Sequence, residues 1–262
     1  MKHTLIIVAP SPFRSIGRLT ISLLVTGALL LLFRYYGSVS VQGNVLSAQD
    51  LEMVDLAEVV PEIVVDLKYC SADNICHRPL YLSERAYLRR GTAEKLRKAQ
   101  EEFAALGLRI KVWDAYRPPQ VQHELWKAMP DPRFVINPNQ GVSYHSRGCA
   151  LDITLVDKSG QELPMPTGFD DFSTRANRDY KGVSPERAAN AKILEKVMLK
   201  HGFTSIYYEW WHFIDTDREN YDLVKGDGIL MHPNQGIITF YSGIIISPEK
   251  FSPGQGINLS PS

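Results

Sequence analysis

Ser143-Tyr144-His145-Ser146-Arg147-Gly148-Cys149-Ala150-Leu151-Asp152 is the stretch on which the reading of this chain turns. It sets a histidine and an aspartate on either side of a glycine. Gly148 permits a backbone turn after His145, and Cys149 to Leu155 is apolar apart from Asp152 and Thr154, as in a strand. On a strand Ala150, Asp152 and Thr154 share one face, so Asp152 projects into a cleft with small Ala150 beside it. Cys149 points the other way and reads as a packed core thiol.

Well downstream, Glu209-Trp210-Trp211-His212 supplies what the first stretch lacks. His145, Asp152 and His212 are then three candidate metal ligands, with Glu209 spare. Three protein ligands leave a fourth tetrahedral position open, the arrangement of a catalytic zinc site and not of a structural one. An isolated histidine is more often a turn or core residue than a ligand; His145 is set apart by its company. His77, His123, His201 and His232 lack such company and read as surface or packing residues. After His123-Glu124 the residue at position 127 is lysine, so the helical His-Glu-x-x-His zinc motif is absent.

Glu209 stands three residues before His212. In a regular strand the two would face opposite sides, so one cleft requires a bulge or helical twist. The neighbouring tryptophans imply burial, which raises a carboxyl pKa toward the range of a general base. Arg117 follows Trp113-Asp114-Ala115-Tyr116 and precedes two prolines, at an abrupt strand end. There it serves either as an oxyanion stabiliser or as a structural ion pair with Asp114.

Around these motifs the pattern is α+β. Ile63, Val65 and Leu67 alternate as a half-buried strand, and Leu96, Ala99, Phe103 and Leu106 mark a helix from Thr92 to Leu106 that Gly107 stops. Leu108, Ile110 and Val112 form the next strand, and Pro118-Pro119 open a helix reaching Met129. Residues 131–141 read as a loop, Asp157 to Gly160 as a turn, and Pro164 to Asp171 as a loop carrying Asp170. Ser184 caps a helix closed by Gly202, and Phe203 to Tyr208 is a strand. Strands and helices without strict alternation give an α+β domain.

Length and composition bound the rest. The 262 residues hold one sizeable domain plus extensions, and the hydrophobic share of 44% is ordinary for a globular chain. Lys+Arg and Asp+Glu balance at 29 each, which leaves no electrostatic case for nucleic acid. Lys2, Arg14 and Arg18 precede an apolar run from Leu19 to Phe33 closed by Arg34. Both an export signal cleaved after Ser40 and a retained membrane anchor agree with that run. Either places the catalytic part outside the cytoplasm, periplasmic or on the outer face of the membrane. The expected organisation is therefore residues 1–40 for export or anchoring, 41–50 as linker, 51–232 as catalytic domain and 233–262 as tail. Cys70 and Cys76 bracket a short loop, as a disulfide or as two unpaired thiols. Oligomeric state is not legible.

Taken together, Ser143-x-His145-x-x-Gly148-x-Ala150-x-Asp152, Glu209-x-x-His212 and Asp114-Ala115-Tyr116-Arg117-Pro118 resemble the zinc D-alanyl-D-alanine dipeptidases of the vancomycin-resistance type, within a superfamily of D,D-peptidases. The resemblance covers Leu51 to Ile214. It implies an α+β fold with an antiparallel sheet core flanked by helices, and one Zn2+ per subunit held by His145, Asp152 and His212. It also implies Glu209 as catalytic base, Arg117 as transition-state stabiliser, and Ser143 and Asp170 as residues holding a small dipeptide, with Asp170 at its ammonium end. The N-terminal segment and the stretch from Asp217 onward depart from the family pattern. Two alternatives stay open: a D,D-carboxypeptidase or endopeptidase acting on wall peptides, and a non-catalytic zinc-stabilised binding module.

Overall fold

A computed structural model describes residues 46–224 and the backbone of residues 230–232 and 235–238. The predicted export or anchor segment and most of the predicted tail lie outside the described residues. The chain runs β1 (Met53–Asp55), α1 (Leu56–Val59), β2 (Val64–Val65), β3 (Tyr87–Arg89), α2 (Arg90–Ala105), β4 (Leu108–Asp114), α3 (Pro119–Ala128), β5 (Ala150–Asp157), α4 (Pro185–Lys200), β6 (Phe203–Ser205) and β7 (His212–Asp215), followed by β8 (Leu230–His232) and β9 (Gln235–Ile238).

The central sheet has the order β2-β4-β5-β7-β6. Its pairs are antiparallel except for β2, which runs parallel to β4 at one edge. The expected antiparallel sheet thus carries one parallel edge strand, and of the predicted strand around residues 63–67 only Val64 and Val65 pair. Ile63 and Leu67 are still buried, which is why their alternation looked strand-like. β1 and β3 form a separate antiparallel ribbon, and β8 pairs with β9.

β5 is buried along both faces from Ala150 to Val156, covered by helices and loops. α2 packs Ala93, Leu96, Ala99 and Phe103 into this core, and α4 adds Ala191, Leu194, Val197 and Met198. Phe103 is fully buried, so truncating it to alanine removes about 3–5 kcal/mol of stability. Ser184 caps α4 by accepting from the Arg187 N–H, and Pro185 opens it as predicted. Leu106 departs from expectation. It is exposed because α2 ends at Ala105 and Gly107 turns the chain away at φ +76°.

Two details of the sheet place the chemistry. The β4–β5 register shifts between Val112 and Asp114, so Asp114 lies across from Asp152. Across the other edge of β5, Asp152 lies opposite His212 on β7. Three neighbouring strands therefore present Asp114, Asp152 and His212 in a row, at the spacing of cross-strand pairs.

Candidate metal centre and catalytic cleft

His145 reaches this row from a short 3-10 turn, His145–Arg147, that ends on Gly148 at φ +73°. That conformation favours glycine, and a Cβ there would lie 2.8 Å from the Met53 sulfur. Two bonds tie the turn to the end of β4: the Arg117 N–H donates to the His145 carbonyl at 3.2 Å, and His145 Nδ1 meets the Ala115 carbonyl at 2.7 Å. A carbonyl only accepts, so Nδ1 carries the proton and Nε2 keeps its lone pair for a ligand.

That lone pair points at the other two residues. His145 Nε2 is 3.2 Å from His212 Nδ1 and 3.5 Å from Asp152 Oδ2, while His212 Nδ1 is 2.8 Å from Asp152 Oδ1. The ligating atoms of all three lie within 4.8 Å of one another. Tetrahedral ligands held at about 2.0–2.1 Å from zinc stand about 3.3 Å apart, which matches these separations. Two imidazoles and one carboxylate are also the donor set of a catalytic zinc site, so the residues fit the ion. Burial opposes ionisation of Asp152, yet the His145 and His212 imidazoles hold its carboxyl well below the usual range.

Glu209 does not stand in a strand. β6 stops at Ser205, and Glu209 sits in the turn before β7, with the His212 N–H donating to its carbonyl at 3.3 Å. The turn provides the twist that a continuous strand would have lacked, and it brings Glu209 Oε2 to 3.8 Å from His212 Nδ1. Burial, and after it the charges of Asp152 and Asp170, pushes the Glu209 carboxyl well above its ordinary pKa. Trp210 and Trp211, between Glu209 and His212, are buried as expected.

Of the two readings of Arg117, the ion pair with Asp114 is present in the structure. Its Nε and Nη2 donate to Asp114 Oδ2 at 2.9 and 2.7 Å, and Nη2 stands 3.5 Å from Asp152 Oδ2. Nη1 donates to Gln122 Oε1 at 3.0 Å, and the guanidinium carbon lies 5.3 Å from the Tyr69 ring centre. Asp114 is fully buried and also accepts from the Tyr81 hydroxyl and the Ala115 N–H. The arginine is an anchored cation whose outer edge faces the cleft.

Asp170 lies on the far side, at φ +54° in its loop. The Tyr69 hydroxyl donates to its two oxygens at 3.3 and 3.4 Å, and the Ile75 N–H donates at 3.5 Å. Burial first, then the Asp152 charge, raises its pKa to about 7. Ser143 is buried, and its hydroxyl accepts from the His145 N–H at 3.3 Å. All seven residues predicted from sequence line one cavity of about 240 Å³. A larger cavity, of about 730 Å³, runs along the β1–β3 ribbon and shares none of them.

Sequence reasoning passed over Tyr69, Gln122 and the aromatic pair Phe134 and Phe172. Gln122 had a usable signal, since it falls on the buried face of α3 with Val121 and Leu125. Tyr69 had none, because its role depends on Asp170, a hundred residues away in the chain. Cys70 and Cys76 are free thiols, approaching the Ser83 and Glu124 carbonyls respectively, and Cys149 is buried. Exposed His77 and His123, and His201 paired with Glu102, fit the surface and packing reading; the side chain of His232 lies outside the described residues.

A family model described as D-ala-D-ala dipeptidase matches residues 49–227. The D-alanyl-D-alanine dipeptidase of Escherichia coli (strain K12) is 39% identical over 173 residues, spanning 66% of this chain and 89% of that one. The enzyme of the same name from Enterococcus faecalis (strain ATCC 700802 / V583) is 32% identical over 178 residues, 60% of this chain and 88% of that one. Solved structures are more distant. The vancomycin-resistance D,D-pentapeptidase VanY in complex with Zn(II) has 18% identity and a TM-score of 0.33 over 53% of this chain and 79% of that one. The LD-carboxypeptidase LdcB has 19% identity and a TM-score of 0.38 over 68% and 76%.

Proposed function

This chain belongs to the D-ala-D-ala dipeptidase family of M15 peptidases, and on that premise we propose that it hydrolyses free D-alanyl-D-alanine to two molecules of D-alanine at a zinc site formed by His145, Asp152 and His212. One observation carries the reading: the three ligating atoms lie within 4.8 Å of one another in a cavity that also holds Glu209, Arg117 and Asp170.

When bound, zinc supplies Lewis acidity and brings the pKa of a water ligand down to about 7. Glu209 takes the proton of the attacking water on its carboxylate and later returns it to the leaving amine nitrogen. Arg117, fixed by Asp114 and Gln122, donates to the oxyanion as it develops, with no reorganisation needed at that moment. Asp170 accepts from the substrate ammonium, and Ser143 lies against the dipeptide on the His145 side.

Two features favour the free dipeptide over a longer wall peptide. The cavity of about 240 Å³ is smaller than the roughly 300–1,000 Å³ of sites for drug-sized ligands. A half-buried carboxyl such as Asp170 also needs a cation, which an N-acylated substrate cannot offer. The paired presence of Glu209 and Arg117 speaks against a binding module without turnover.

We assign residues 1–40 to export or anchoring, 41–50 to a linker, 51–232 to catalysis and 233–262 to a tail. This supports a protein acting outside the cytoplasm in cell-wall peptide metabolism. The basis is the basic lead and apolar run of the sequence, and cell fractionation with mass analysis of the N-terminus tests it. For the activity, D-alanine release by the full chain is measured on D-Ala-D-Ala and on N-acetyl-D-Ala-D-Ala, with and without a chelator. Chelator-sensitive release from the free dipeptide is expected. Faster cleavage of the acetylated peptide would instead make the chain a D,D-carboxypeptidase.

A further inference from the structure

Resting on the dipeptidase reading above, we propose that Arg178 is a positioning residue for the reaction, stapling both arms of the turn that carries Glu209 and His212. Between β6 and β7 the backbone from Ile206 to Tyr208 is irregular, and Ile206 at its start and Glu209 just after it line the cavity. Arg178 binds it at three carbonyls: its N–H donates to Tyr207 at 2.9 Å, Nε to Ile206 at 2.7 Å and Nη2 to His212 at 3.0 Å. One residue thereby grips the turn before the base and at the third metal ligand.

The staple is itself held. Nη1 stands 3.2 Å from Glu195 Oε1 on α4, and the guanidinium carbon lies 4.8 Å from the Phe213 ring centre. Glu195 also accepts from the Ser205 hydroxyl at 2.8 Å, which joins the end of β6 to the same group. The Arg178 side chain is only 7% exposed and does not line the cavity, so it acts through the turn and not on the substrate. Its targets are main-chain carbonyls, and what it fixes is the path of the backbone between Glu209 and His212. A misplacement of about 1 Å between reacting groups costs on the order of a hundredfold in rate.

The test compares the full-length wild type with Arg178→Lys and Arg178→Met. It reads kcat and KM on D-Ala-D-Ala, bound zinc per chain, Tm, and the visible spectrum of the Co2+-substituted protein. Lysine keeps a cation beside Glu195 but loses the planar fork. It should fold, lower kcat about tenfold per bound zinc and leave KM nearly unchanged, whereas methionine should cost about a hundredfold. The Co2+ bands should shift in both, because the His212 backbone is released. Wild-type kcat per bound zinc in the lysine variant with an unchanged Co2+ spectrum would overturn the proposal. So would a methionine variant whose whole loss lies in Tm and zinc content. If the wild type itself releases no D-alanine, the dipeptidase reading fails, and the Co2+ spectra still decide for or against the staple.

Discussion

At the metal end of the cavity, Asp152 and His212 face each other across adjacent strands, and His145 is tied to the chain just past β4 by one main-chain bond and one from its ring Nδ1. At the opposite end, Asp170 stands on a loop at φ +54° and meets Tyr69 and Ile75, residues from another loop, at 3.3–3.5 Å. The first end is built on sheet and the second on connections between elements. The contrast matches the demands: a metal ion tolerates little positional error, whereas recognising one charged end of a ligand requires only a well-placed counter-charge. Mutation should therefore hurt turnover at the sheet end and affinity at the loop end.

The sharpest break should come at Glu209. Glu209→Ala is expected to keep zinc and lose about 10⁴-fold in kcat, the upper range for general acid–base catalysis, because the residue acts on both proton transfers. Metal analysis alongside turnover checks it, and more than a tenth of wild-type activity would remove Glu209 from the mechanism. Arg117→Lys comes next. It keeps a cation for buried Asp114 but not the fork, and kcat should fall about 10²–10³-fold, as when an oxyanion donor is lost.

Asp170→Asn moves the test to the loop end. KM for D-Ala-D-Ala should rise about ten- to a hundredfold, the worth of a hydrogen bond to a charged partner, with kcat far less affected. The same residue sets a pH dependence. Its pKa is raised from an ordinary 3.8 to about 7, so in the zinc-free protein its contribution to stability is complete below the unfolded value and is lost as pH rises through about 7. Thermal melts of the zinc-free protein at pH 4.5 and pH 8 should therefore converge for Asp170→Asn relative to wild type. A wild-type melting difference that the substitution leaves untouched would refute the assignment. The smallest effect concerns the thiols near Tyr69: with Cys70 and Cys76 free, a reductant should leave Tm unchanged.

The same contrast explains what could be read from the chain. The sheet end was legible because its signals are local: a glycine two residues before a strand start and an aspartate on a strand face say where the side chains go. Glu209 was legible only as a requirement, since the spacing demanded a twist whose form, a break in the strand after Ser205, depends on how β6 meets β7. The loop end was legible in part. Asp170 entered through family resemblance alone, Tyr69 was missed because its partner Asp170 meets it only through the fold, and Gln122 was missed although its place on the buried face of α3 marked it. The parallel pairing of β2 escaped for a related reason: two residues carry no mark of strand direction.

The bond from His145 Nδ1 to the Ala115 carbonyl has an evolutionary side. Had the acceptor been a carboxylate, one codon change could have deleted it and freed the imidazole to switch tautomer. Every amino acid at position 115 brings the same oxygen, so the proton placement that readies this nitrogen for metal is shielded from point mutation. Only a slip of the strand itself could undo it.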